Sequence, residues 1–201
     1  MSMSTNTDLD PGGRFPPGCP GGPGRARRLR EPPGRLIPCH QKRAGLGVWA
    51  CTRSREDRAA IRLWKRREPF DRAELEGFAA AVADLVRAWS PILPPGTVVC
   101  CPPRGVSDPA PSAAEALGRR VAEALGLPFD AAILSRTGPK RRHGVQPSLT
   151  QAPFVAALPD PPPPLLLIID DLVTTGTTMR RSLEAIRAAG CAAFGFAYSG
   201  C

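Results

Sequence analysis

Aromatic side chains are scarce in this chain: one tyrosine, three tryptophans and seven phenylalanines in 201 residues. Histidine is scarcer still. His40 and His143 are the only two, and neither has a matched partner, so a nucleophile–histidine pair is excluded. The seven cysteines (Cys19, Cys39, Cys51, Cys100, Cys101, Cys191, Cys201) include no C-x-x-C spacing, and no secretory apolar stretch precedes them. A reduced, cytoplasmic protein is expected. Cys19, Cys39, His40 and Cys51 lack the paired spacing of a structural zinc site, so no zinc is expected. The longest aliphatic run, residues 165–169, is far too short to span a bilayer. Neither G-x-x-x-x-G-K-[ST] nor G-x-G-x-x-G occurs, which removes the common nucleoside-triphosphate and dinucleotide loops.

Proline, by contrast, is abundant: 25 prolines accompany 20 glycines. Residues 1–47 carry eight of the prolines and nine of the glycines, with almost no apolar periodicity. This segment reads as a disordered basic leader ahead of a domain over 48–201. The net charge of +9 is local too, since residues 1–69 hold 15 Lys/Arg against 6 Asp/Glu, and the remainder 12 against 12. Such a leader can hold nucleic acid weakly and without sequence preference. An arginine-rich coding bias is the plainer explanation of the same charge.

Within the domain, Leu75, Phe78, Val82, Leu85 and Trp89 predict a helix over 71–89, capped by Asp71. Residues 97–101 read as a buried strand. Ser112 and Glu115 form a capping box for a helix whose buried face is Leu117, Val121 and Leu125, stopped by Gly126. A second strand is expected over 130–134. Residues 135–164, basic and then proline-rich, read as a flexible flap with an extra strand near 154–158. The aliphatic run 165–169 has the character of a central parallel strand covered on both faces. A helix with Met179, Leu183 and Ile186 inward follows, and then a last strand over 191–198. This alternation predicts an α/β fold with a mostly parallel sheet flanked by helices, and its ligand site at the carboxyl ends of the strands.

Residues 166–178 carry the chemistry. A buried strand runs into two adjacent carboxylates, Asp170 and Asp171, a costly arrangement unless something neutralises or hydrogen-bonds them. The loop Thr174, Thr175, Gly176, Thr177, Thr178 then leads into a helix N-terminus, where converging N–H groups suit an anion such as phosphate. Carboxylates that accept hydroxyl hydrogen bonds, beside a phosphate cradle, describe a site for a sugar phosphate. An ordinary strand end with a threonine-capped helix is the bland alternative.

These thirteen residues resemble, at every position, the signature of type I phosphoribosyltransferases: four hydrophobic residues, two acidic, two hydrophobic, then Thr-Thr-Gly-x-Thr. The resemblance implies a type I phosphoribosyltransferase-like fold and a site for 5-phosphoribosyl 1-diphosphate (PRPP), brought in with Mg²⁺. Asp170 and Asp171 would bind the ribose hydroxyls, and Thr174, Thr175, Gly176, Thr177 and Thr178 the 5′-phosphate. Diphosphate would lie against Arg104 and Gly105 after the first core strand, and against Lys140, Arg141 and Arg142 on the flap. The implied reaction, within nucleotide metabolism, transfers the phosphoribosyl group to a nitrogen acceptor and releases diphosphate. Purine-salvage members usually carry Asp where this chain has Thr174. More diffusely, 48–201 resembles the competence-protein ComF group, in the stretch Leu63, Trp64, Lys65 and in Gln146 following Arg136. That likeness implies an alternative: a PRPP- or nucleotide-sensing module, or an accessory protein of DNA uptake or processing. The family also makes a homodimer an expectation.

Overall fold

The computed structural model describes residues 37–38, 47–67, 69–104, 111–136 and 154–200. Four parallel strands form the centre: β2 (Val48–Thr52), β7 (Ala193–Gly200), β6 (Leu166–Val173) and β3 (Val98–Cys100), side by side in that order. A two-residue strand, β1 (Ile37–Pro38), adds antiparallel to β2, with Ile37 opposite Ala50 and Pro38 opposite Trp49. Shortness and a terminal proline suit an edge strand. Part of the expected leader thus belongs to the sheet. The rest of 1–46 lies outside the described residues.

Both faces of β6 are covered, which is why its sequence is a continuous apolar run rather than an alternation. Leu165, Leu167 and Ile169 join one core cluster, while Leu166 and Ile168 join the other. The first face carries α1 (Arg55–Trp64), α2 (Arg72–Trp89) and α3 (Ala113–Leu125), and the second carries α4 (Thr177–Ala188). The few aromatics concentrate on the first face. Trp49 stacks on Phe196, Trp89 meets Phe194 with centroids 4.6 Å apart, and Trp64 stacks on Phe70. Complete burial of a side chain such as Ile61 contributes roughly 1.5–3 kcal/mol, so this cluster anchors α1 and α2 firmly.

The predicted helices are present at nearly their expected bounds. Asp71 accepts the N–H of Glu74, and Ser112 that of Glu115. Gly126 takes the left-handed conformation, φ +67°, that ends α3. The strand expected over 130–134 requires correction. Asp130 Oδ1 instead accepts the N–H of Ala132 at 2.7 Å, turning the chain. Phe129 forms an isolated bridge beside Val99, with the Asp130 N–H donating to the Val99 carbonyl at 2.9 Å, and β4 (Leu134–Arg136) pairs antiparallel with β5 (Phe154–Ala156) in a separate two-stranded sheet packed near α4. Residues 137–153, the middle of the expected flap, lie outside the described residues. Among the described residues no helix is long and apolar enough to cross a membrane.

Candidate functional site

Strands β2, β3, β6 and β7 all run the same way, so their carboxyl ends share one edge of the sheet. β6 does not stop at its acidic pair; it continues through Asp170 and Asp171 to Val173. Both aspartates are nearly inaccessible, 8% and 2% exposed. Local backbone groups satisfy part of each carboxylate: Asp170 Oδ1 accepts the N–H of Asp171 and Asp171 Oδ1 that of Leu172, both at 2.9 Å. Burial, and secondarily the neighbouring Asp171 carboxylate, push the Asp170 carboxyl well above its ordinary range.

The second carboxylate has a cation. Lys65 Nζ lies 2.6 Å from Asp171 Oδ2, as an ion pair rather than a directed hydrogen bond. Lys65 caps the carboxyl end of α1, where its N–H bonds to the carbonyls of Ile61 and Leu63. Neither α1 nor the role of Lys65 was foreseen from sequence. The signals were Ser54, whose hydroxyl accepts the N–H of Asp57 at 2.9 Å, and the inward pair Ile61 and Trp64. Nothing local marks Lys65 as a partner of Asp171.

The threonine loop turns on Gly176, whose φ of +73° is a conformation that side-chain-bearing residues rarely take. It brings the chain directly into α4. Among the described residues, the other three helices start with a side chain capping their amides, whereas α4 has none. Thr175 and Thr177 hydroxyl oxygens lie 3.1 Å apart, and Met179, Leu183 and Ile186 hold the helix to the sheet. Thr174, Thr175 and Thr178 are exposed. Amides, hydroxyls and the positive end of the helix dipole thus gather beside the carboxylates, a combination suited to a phosphorylated polyol.

Arg104 is exposed after β3, the immediate neighbour of β6, so it leaves the sheet at the same edge. Gly105, Lys140, Arg141 and Arg142 lie outside the described residues. Among the described residues no three His, Cys, Asp or Glu side chains gather as a metal site. Cys51 is half-buried with its thiol pushed up to about 12, chiefly by burial. Cys19, Cys39 and His40 lie outside the described residues.

Residues 73–199 match the model of the phosphoribosyl transferase domain family, more than half of the 201-residue chain. The chain belongs to this family. Its α/β architecture, four parallel strands between helices, is that of a type I phosphoribosyltransferase domain. No curated protein matches the chain. Among solved structures it is similar to a purine phosphoribosyltransferase from Pyrococcus horikoshii Ot3, at 16% identity over 65% of this chain and 85% of that one, TM-score 0.38. An adenine phosphoribosyltransferase from Trypanosoma brucei matches at 14% identity over 74% and 70%, TM-score 0.40. The orotate phosphoribosyltransferase from Aeropyrum pernix matches at 19% identity, TM-score 0.34, over 64% of each chain. The signature carboxylates and the threonine loop both fall inside the family match.

Proposed function

We propose that this phosphoribosyltransferase domain binds PRPP with Mg²⁺ and transfers its phosphoribosyl group to a nitrogen acceptor, releasing diphosphate. The observation that carries this reading is the junction of β6 and α4. Two buried carboxylates there stand next to an uncapped helix start reached through a left-handed glycine. Asp170 and Asp171 take the ribose hydroxyls, and the amides and hydroxyls of Thr174, Thr175, Gly176, Thr177 and Thr178 take the 5′-phosphate. With the sugar held at both ends, C1 is fixed facing the acceptor, which removes much of the entropic cost of bringing the two together. The bond from C1 to the diphosphate oxygen breaks with its electron pair going to the diphosphate. The acceptor nitrogen forms the new bond to C1 and gives up a proton.

Hard carboxylate oxygens fit magnesium, but with no three-ligand cluster among the described residues, substrate oxygens would supply most of its shell. Bound in that way, the ion would offset charge on the departing diphosphate. Arg104, with Gly105, Lys140, Arg141 and Arg142, is the proposed diphosphate contact. No zinc enters this reading, and the protein is proposed to act in the cytoplasm.

A second reading is a ComF-like accessory or sensing protein that binds PRPP without turnover. It is favoured by the basic balance of residues 1–69, 15 Lys/Arg against 6 Asp/Glu. One assay separates the two: diphosphate release from PRPP and Mg²⁺ in the presence of nucleobases and small amines. Release with any acceptor supports transfer. PRPP binding by calorimetry with no release across the set favours sensing, and no PRPP binding at all sinks both.

A further inference from the structure

The ion pair of Lys65 differs from the other described ion pairs in the burial of its carboxylate. Arg72 with Glu76, Arg180 with Glu184 and Arg119 with Glu115 are pairs along single helices whose arginines are well exposed, and such pairs contribute little. Arg120 with Glu76 links α3 to α2, but through an exposed carboxylate, whereas Lys65, itself 40% exposed, joins α1 to the acidic pair on β6 and its carboxylate partner is 2% exposed. The lysine's backbone is also held in place. Ile61 and Trp64 just before it are fully buried, Trp64 stacks on Phe70 at 4.6 Å and meets Phe78 edge-on, and the Lys65 N–H closes the end of α1. The contact with Lys65 sets Asp171 on the side of β6 that α1 covers, where Leu167 and Ile169 also pack. Helix α1 therefore delivers one cation to one member of the pair.

Two adjacent buried carboxylates repel, and without a nearby cation they hold no defined charged arrangement. Removing the cation beside a buried carboxylate leaves that charge uncompensated, at a cost above that of losing a fully exposed pair. We infer that Lys65 is a positioning residue of the PRPP site, holding Asp171 by its ion pair in the orientation that receives the ribose hydroxyls, so that α1 is part of the binding machinery. The inference rests on the PRPP reading given above. Lys65 acts on the ligand through Asp171, and the 5′-phosphate cradle at Gly176 does not depend on it.

Calorimetry on the full chain tests this with three probes: PRPP with Mg²⁺, ribose 5-phosphate and inorganic phosphate. Lys65→Met should weaken both sugar ligands on the order of tenfold, the loss of one charge-assisted contact, and leave inorganic phosphate unchanged. Lys65→Arg, which keeps the charge, should recover most of the affinity. In the Asp171→Asn background, Lys65→Met should cost nothing more, because residues that act through one another are not additive. Additive losses would overturn the inference, since Lys65 would then touch the ligand itself. So would wild-type affinity in Lys65→Met, or a parallel loss of inorganic phosphate, which would mark a merely structural pair. Should Lys65→Met fail to fold, Lys65→Arg and the Lys65→Met/Asp171→Asn double variant, neither of which strands a buried charge, decide the matter by the same criteria. A wild-type chain that binds inorganic phosphate but neither sugar ligand sinks the PRPP reading and this inference with it. Normal PRPP binding by the wild type with an unaltered Lys65→Met sinks this inference alone.

Discussion

The turn from β6 into α4 and the segment from α1 to Lys65 converge on the same acidic pair, yet different forces hold them. The turn is specified by backbone: a left-handed glycine, an uncapped helix start and hydroxyls within a few residues of one another. The α1 segment is specified by packing, with Ile61 and Trp64 sunk among aromatics and a charged tip carried to a distant partner. Changes of backbone freedom should thus break the first, and changes of charge or volume the second. On the proposed reading, the cradle binds the ligand and α1 orients a carboxylate toward it.

The sharpest way to break the cradle is Gly176→Val. A β-branched residue at φ +73° is strained by about 1–2 kcal/mol or more, and its side chain would stand where the phosphate must come. Calorimetry should show binding of PRPP and ribose 5-phosphate abolished, while magnesium diphosphate still binds weakly through Arg104 and the flap cations. Unchanged ribose 5-phosphate affinity would remove the phosphate from this loop.

Next in size is the acidic pair. Asp170→Asn with Asp171→Asn should weaken PRPP by about tenfold or more, through loss of charge-assisted bonds to the ribose hydroxyls. The two positions should differ in stability. The Asp170 carboxyl is held above its ordinary 3.8 by burial and by Asp171, so the folded state binds that proton more tightly than the unfolded state. Its contribution to stability is fully present below about 3.8 and is lost as pH rises through the folded value. Asp170→Asn should remove this decline and raise stability at neutral pH, whereas Asp171→Asn forfeits the ion pair with Lys65. Denaturant unfolding across pH checks both, and a wild-type pH slope persisting in Asp170→Asn would contradict the assignment.

Effects milder than that of Gly176→Val are expected at the loop threonines. Thr177→Ala and Thr178→Ala should each cost roughly 1–3 kcal/mol of phosphate-dependent affinity, the scale of one hydrogen bond to a charged group. Their effect should be confined to ligands bearing the 5′-phosphate, and equal losses for magnesium diphosphate would place these hydroxyls elsewhere.

The same contrast explains what could be read from the chain alone. β6 was legible because cover on both faces leaves an unbroken apolar run, and α2 and α3 because capping residues and apolar stripes agree. The carboxylates and threonines were legible because their chemistry is contiguous. Helix α1 was not, since its ten residues present only Ile61 and Trp64 inward while Leu63 is 53% exposed, so its stripe is thin amid charge. The misplaced strand at 130–134 has a local cause in the Asp130 turn, which overrides the β-prone run after it. The pairing of Lys65 with Asp171 depends on strand order and register, which no window of sequence contains.

The smallest expected effect concerns the basic segment ahead of the domain, and the structure moves the boundary at which it should be cut. Deleting 1–36 leaves Ile37–Pro38 paired with Trp49 and Ala50, and leaves Gly47, whose carbonyl accepts the N–H of Gly195 at 2.9 Å. A Cβ on Gly47 would lie 2.5 Å from Phe194, so this residue is fitted into the aromatic cluster rather than appended to it. Deleting 1–47 removes both features and uncovers the edge of β2, with its unpaired backbone groups. The shorter deletion should leave the melting temperature within a few degrees. The longer one should lower it further, by about 2–4 °C for each kcal/mol lost in a chain of this size. Either truncation should reduce any salt-dependent DNA binding, because six arginines within 1–36 leave with it. Thermal melts beside DNA titrations at two salt concentrations read both effects. Equal melting temperatures for the two truncations would show that β1 contributes nothing to the sheet. A chain lacking 1–36 that failed to fold would place part of the core in the segment read as leader.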